Sequence, residues 1–252
     1  MNSDSSSASG SSPFPIKDAP IKVGISSCLL GQRVRYNGGH KRSALCIEEL
    51  GRVFDFVPCC PETEAGLGVP RAPIRLVGDP LAPRAVRVAD AGADVTAVLS
   101  SHAARRIPQL QELSGYIFIG QSPSCGLFQV KVYGDAEQPP VAAGRGIFAA
   151  ALTRARPLLP VEEEGRLNDP RRRERFITRV RAWHDWHHLK RQGVDTATLL
   201  AFHTCYQNIL LPLDYQALEG LLTSTGEQAP EALGERYFSA LMQLLQAEHA
   251  VG

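Results

Sequence analysis

Three short apolar runs separated by helical periodicity predict an α/β fold, a parallel sheet layered with helices. The loss of strand signal after Pro160 predicts a small all-α module behind it. The runs are IKVGIS (21–26), VFDFVP (53–58) and GYIFIG (115–120). Each is rich in β-branched or aromatic residues and bounded by Gly, Pro or Ser, as a buried strand is. Between them the pattern predicts a short helix over 44–52 and a longer one over 94–113. In the longer helix Val95, Val98, Leu99, Ile107, Leu110 and Leu113 share a face, Asp94 stands at the N-cap, and Pro108 kinks or splits it. A further helix is expected over 146–156. Strand, helix, strand in this order is the doubly wound, Rossmann-like arrangement. Beyond the acidic run at 162–164, Asp169 and Pro170 open a helix whose apolar positions are Phe176, Ile177, Val180, Trp183 and Leu189. Helices over 196–211, 215–222 and 230–249 follow. The expected organisation is a disordered Ser- and Pro-rich leader (1–20), an α/β domain (21–160) and a helical accessory domain (161–252).

The 252 residues carry 27 Lys and Arg against 26 Asp and Glu, which excludes a wholesale nucleic-acid coat or an acidic tail. Residues 21–160 hold a net +5 and residues 161–252 a net −3. Arg171, Arg172, Arg173, Arg175, Arg179 and Arg181 cluster on the first helix of the second part. They read either as a solvated face paired with Glu162, Glu163, Glu164 and Glu174, or as an RNA contact. No apolar run reaches the length of a membrane helix, so no membrane partner is expected. The first residues lack the cationic and apolar parts of a secretory signal, so the expected compartment is the reducing cytoplasm, with six free thiols.

Those thiols are unevenly placed. Cys28 (ISSCLLG), Cys59 and Cys60 (VPCCPE) and Cys125 (GQSPSCG) each follow a predicted strand. In a parallel sheet all strand C-termini open on one edge, the usual ligand edge. Cys46 and Cys205 read as packing residues. Three converging thiols suit a 4Fe-4S cluster with one iron open to substrate; zinc, a redox sensor, or a nucleophilic cysteine paired with His40 or His102 are the alternatives. Spacing leaves the choice between Cys59 and Cys60 open. The neighbours are polar: Ser26, Ser27, Ser122 and Ser124 offer hydroxyls, and Glu62 a carboxyl for proton transfer. Arg71 in GLGVPR offers an anion or carbonyl contact, and Arg35 and Tyr36 a phosphate contact and a stacking ring.

The stretches ISSCLLGQRVRYNGGHK, VPCCPETEAGLGVPRAPIRLV, SPSCG, GRGIFAAAL and PVEEEGRLNDP resemble the thiouracil desulfidase (TudS-like) family. They are similar to its tRNA 4-thiouridine desulfidase (RudS) branch, here with a shortened C-terminal helical domain. The resemblance implies a 4Fe-4S cluster held by Cys28, Cys60 and Cys125, with Glu62 and Ser122 as the acid–base and hydroxyl groups. It also implies non-redox hydrolytic removal of sulfur from a thiolated pyrimidine, 4-thiouridine in tRNA or a free thiouracil base, releasing hydrosulfide. A non-catalytic iron-sulfur RNA-binding or sensor protein is the reading from a different class.

Overall fold

The computed structural model describes residues 20–134, 139–210, 216–223 and 229–247; the expected leader lies outside them, apart from Pro20. The chain divides into two units, Pro20–His184 and a second that begins at Asp185.

The first unit holds two sheets and the helices that cover them. Its elements are β1 (Lys22–Ser26), β2 (Asp55–Cys59), α1 (Pro61–Glu64), β3 (Ile74–Val77), β4 (Arg84–Arg87), α2 (Thr96–Arg106), β5 (Gly115–Phe118), β6 (Val130–Tyr133), β7 (Val141–Gly144), α3 (Ile147–Ala155) and β8 (Val161–Glu163). The N-terminal part of α4 (Pro170–Gln192) completes it. One sheet has the order β2-β1-β5-β8, and every pairing in it is parallel. Its central strands are buried on both faces, which is why they read as continuous apolar runs. Successive residues of β5 point to opposite faces. Tyr116 packs toward Phe148 of α3, ring centroids 6.0 Å apart. A Cβ on Gly115 would come within 2.7 Å of the Val180 side chain of α4. Helices therefore cover both faces, as a Rossmann-like sheet requires. Gly24 of β1 makes room for Tyr116, whose ring would lie 2.3 Å from any Cβ there.

The expected helices form with adjusted ends. Residues Leu45–Glu49 and Leu50–Arg52 make π- and 3-10 turns. The 94–113 helix is split: α2 ends at Arg106 and Ile107–Leu110 continue as a 3-10 turn with Pro108 in its first positions. Asp94 caps one residue early, its Oδ1 accepting the Thr96 amide at 2.8 Å.

Two expectations are corrected. A strand does follow Pro160: β8 pairs in parallel with β5, and with the first half of α4 it belongs to the α/β unit, which therefore runs past 160 to His184. The acidic run concealed it, because Glu163 is turned inward. A second, mixed sheet, β4-β3-β6-β7, was not expected. It buries Leu76, Ala85, Val130 and Val132 against Val95 and Leu99.

The second unit is helical: the end of α4, α5 (Thr196–Leu210), α6 (Gln216–Thr223) and α7 (Pro230–Gln246). Trp186 stacks on Phe238 with ring centroids 5.1 Å apart, and Gly234 lets α7 approach it, since a Cβ there would sit 2.6 Å from the indole. The Asp195 carboxylate accepts the Thr198 amide at 2.7 Å and starts α5. No described helix is long and apolar enough to cross a membrane.

Candidate active site at the sheet edge

The parallel strands β1, β2 and β5 end on one edge, and each delivers a thiol there. Ser27–Leu30 leave β1 as a 3-10 turn carrying Cys28. Cys60 follows β2 and precedes α1, where Pro61 occupies the first helical position. The chain after β5 turns sharply through residues 119–126 and carries Cys125. Gln121 there adopts φ 61°, the left-handed region that non-glycine residues seldom enter. Ser122 organises this turn, its Oγ accepting the amides of Ser124 and Cys125 at 3.2 and 3.0 Å.

All three thiols line one cavity of about 900 Å³, together with Ser26, Ser27, Arg35, Tyr36, Glu62, Arg71 and Ser122. Ser124 does not: it is fully buried behind the turn, where its carbonyl accepts the amides of Phe148 and Ala149. Arg71 lines the cavity but is turned onto the protein. Its Nε and Nη2 both reach Glu62 Oε2 at 2.7 Å, and Nη1 donates to the carbonyls of Val34 and Gly68, each at 2.9 Å. Arg71 thus sets the orientation of Glu62. His40 and His102 stand outside the cavity lining. The His40 Nδ1 accepts the Arg42 amide, and buried His102 faces Glu64 at 3.3 Å.

The thiols influence one another. Burial pushes the Cys28 thiol up to about 11; Cys60 adds to this, whereas Arg35 and Lys41 oppose it. Cys125 is raised well above the ordinary thiol value by burial, then by Cys60, Glu62 and Cys59; the Ser26 hydroxyl acts the other way. Cys60 thus neighbours both other site thiols. Cys59 also borders the cavity, but it is 1% exposed, pushed up to about 12 chiefly by burial, and neighbours the Tyr116 hydroxyl. Cys46 is fully buried and raised to about 11, as a packing residue would be. Among the described residues no three His, Cys, Asp or Glu side chains meet closely enough to hold a single ion. The three thiols border a common space rather than a common point.

Sequence reasoning missed five charged or aromatic lining groups: Lys41, Glu163, Arg75, Lys131 and Tyr133. The last three lie on β3 and β6 of the unexpected sheet. Glu163 accepts the amides of Leu127 and Phe128 at 2.7 and 3.0 Å. Nor is the arginine cluster of α4 a uniformly solvated face: Arg179 is buried and lowered to about 10, chiefly by desolvation, against the pull of Glu162.

A Rossmann-like sheet gathers three thiols and a fixed carboxylate around one cavity at its C-terminal edge, the edge where such folds bind ligands. Residues 23–164 match the model of the 2-thiouracil desulfurase family, and the chain belongs to that family. It is 34% identical over 154 residues to the uncharacterized protein YbbK of Bacillus subtilis (strain 168), covering 58% of this chain and 97% of that one. A solved structure, the [4Fe-4S]-dependent thiouracil desulfidase TudS, is 31% identical, with a TM-score of 0.48 over 59% of this chain and 93% of its own.

Proposed function

We propose that this protein is an iron-sulfur-dependent, non-redox hydrolytic desulfidase of a thiolated pyrimidine, 4-thiouridine in tRNA, yielding uridine and hydrosulfide. The observation that carries the reading is the convergence of Cys28, Cys60 and Cys125 on the cavity that also holds Glu62. The donor set fits a cluster: buried Cys28 and Cys125, each disfavoured as a thiolate, share the cavity with half-buried Cys60, and such a set calls for a cationic group between them. Cys28, Cys60 and Cys125 would hold it, and when bound it supplies an open iron, a Lewis acid for a thiocarbonyl sulfur.

The protein groups divide the remaining work. Water replaces sulfur at the ring carbon, so the carbon–sulfur bond breaks, a carbon–oxygen bond forms, and hydrosulfide leaves without net oxidation. Glu62, locked by Arg71, takes the proton from that water. Ser122 accepts two amides and so keeps its hydroxyl proton to donate toward the pyrimidine. Arg35, Lys41, Arg75 and Lys131 line the cavity with positive charge, and Tyr36 and Tyr133 add aromatic rings beside Arg35 and Arg75. This lining supports a phosphate-bearing substrate over a free base. Six free cysteines suit a reducing cytoplasm.

The test is anaerobic purification, elemental analysis for iron and zinc, and hydrosulfide release from free 4-thiouracil and from thiolated tRNA. Iron with tRNA turnover supports the proposal. Turnover of the free base alone moves the substrate to thiouracil. Iron without any hydrosulfide release makes the protein a cluster-bearing binder, and zinc in place of iron overturns the cofactor.

A further inference from the structure

We propose that Glu163 is the positioning residue of the site, a clamp on the turn that carries Ser122 and Cys125: its carboxylate holds two amides at the far end and packs against Gly120 at the near end. The role assigned to that turn rests on the desulfidase reading; the clamp itself rests on geometry alone. Glu163 ends β8, a three-residue edge strand, and the residue is only 9% exposed. The partners of its Oε1 are two main-chain amides, Leu127 at 2.7 Å and Phe128 at 3.0 Å, immediately beyond Cys125 and Gly126. On the other side of the turn, a Cβ at Gly120 would lie 2.9 Å from Oε2. The carboxylate occupies the space that a side chain at 120 would take.

The segment between these two points needs such a clamp. Gln121 sits at φ 61°, the Ser122 hydroxyl is committed to two amides, and the Gly126 amide returns to the Ser122 carbonyl at 2.8 Å. A strained turn persists only where its surroundings hold it. Charge-assisted hydrogen bonds from amides to a carboxylate are the strong kind, and a buried edge of the site keeps them from water. Glu163 acts through the turn and not on substrate, which separates its role from that of Glu62.

The experiment uses the full chain. Hydrogen exchange of the amides at 127 and 128 is measured on the protein as purified, with β1 as the internal reference. After chelation, alkylation of Cys125 relative to Cys28 is read by peptide mass spectrometry. Both thiols are buried, at 6% and 7% exposure, so the ratio reports local opening of the turn rather than global unfolding. Glu163→Ala is expected to raise the Cys125/Cys28 ratio and the exchange at 127 and 128 by about tenfold or more. Glu163→Gln keeps an acceptor oxygen and should restore both to within about twofold of the unaltered chain. Gly120→Ala leaves the carboxylate in the sequence but displaces it, and should reproduce the Glu163→Ala effect. Unchanged ratios in Glu163→Ala and Gly120→Ala overturn the proposal. If neither variant folds, the unaltered chain decides: slow exchange at 127 and 128 supports the clamp, and exchange at the rate of an open loop overturns it. Neither readout needs iron or substrate, so a protein that lacks iron and turnover but shows the shifts loses the desulfidase reading and keeps the clamp.

Discussion

Glu62 and Arg71 are nearly removed from water, with side-chain exposures of 13% and 7%, so each depends on the other. Taking away one partner leaves a buried charge without compensation, which costs far more than the pair contributes. Arg71→Met should therefore destabilise the protein by about 3 kcal/mol, read by urea unfolding. Adding Glu62→Met to it should recover much of that loss, whereas Arg71→Lys loses the bidentate geometry and lowers kcat even where stability survives. A second residue-scale expectation concerns the adjacent cysteines: Cys60→Ala should lose bound iron, and Cys59→Ala should keep it, because Cys60 neighbours both Cys28 and Cys125. Elemental analysis of the two variants checks this. The three site thiols, Cys28, Cys60 and Cys125, were legible in the sequence because each lies in the turn or loop that follows an apolar strand. Arg71 was legible as a site residue but not in its orientation, since nothing local says that its donors turn onto Glu62, Val34 and Gly68. Ser124 shows the opposite failure: one position from Cys125, it points into the fold.

The second sheet carries the part of the site that sequence patterns hid. Its strands are four residues long, and three of them, IRLV, RAVR and VKVY, mix cations with apolar residues, so each is too short and too charged to give a strand signal in the sequence. β3 and β6 run parallel, with Leu76 opposite Val132 and Val77 opposite Tyr133. One step back along that register places Arg75 beside Lys131, and both line the cavity. Two like charges side by side on a sheet repel. Arg75 extends over the Tyr133 ring at 5.1 Å, and its buried Nε has no hydrogen-bond partner among the described residues. On the desulfidase reading, a phosphate of the substrate would offset this repulsion by bridging the two cations. Lys131→Gln should therefore raise stability slightly, by about a few tenths of a kcal/mol. The same change should raise KM severalfold for thiolated tRNA and leave KM for free 4-thiouracil unchanged. Equal effects on both substrates would remove the phosphate role from this pair.

At the scale of the whole chain, each unit contains one buried histidine among its described residues, and both respond to acid in the same direction. His102 in the α/β unit and His203 in the helical unit are lowered from the ordinary histidine value of 6.5, in each case chiefly by desolvation. Glu64 opposes the shift at His102, and Glu219 at His203. Burial raises Tyr237 well above the ordinary tyrosine value, so its hydroxyl keeps its proton, and it shares a hydrogen bond with His203 Nδ1 at 2.8 Å. Protonating the ring would place a charge in this buried setting, which desolvation disfavours. Because the folded-state value lies below the unfolded one, the unfolded chain binds more protons between the two values. The histidine contribution to stability is thus fully present above pH 6.5 and is lost as pH falls from 6.5 through the folded-state value. The helical unit can be followed separately, since the only two tryptophans are Trp183 and Trp186 and the second stacks within that unit. In a Trp183→Phe background, the unfolding midpoint read from Trp186 fluorescence should fall as pH drops from 7 to 5. Replacing His203 with Gln, which cannot gain a proton there, should flatten that dependence while leaving the contribution of His102 to the α/β unit intact. A midpoint that keeps its full slope in the His203→Gln variant would move the acid sensitivity of the helical unit onto its carboxylates.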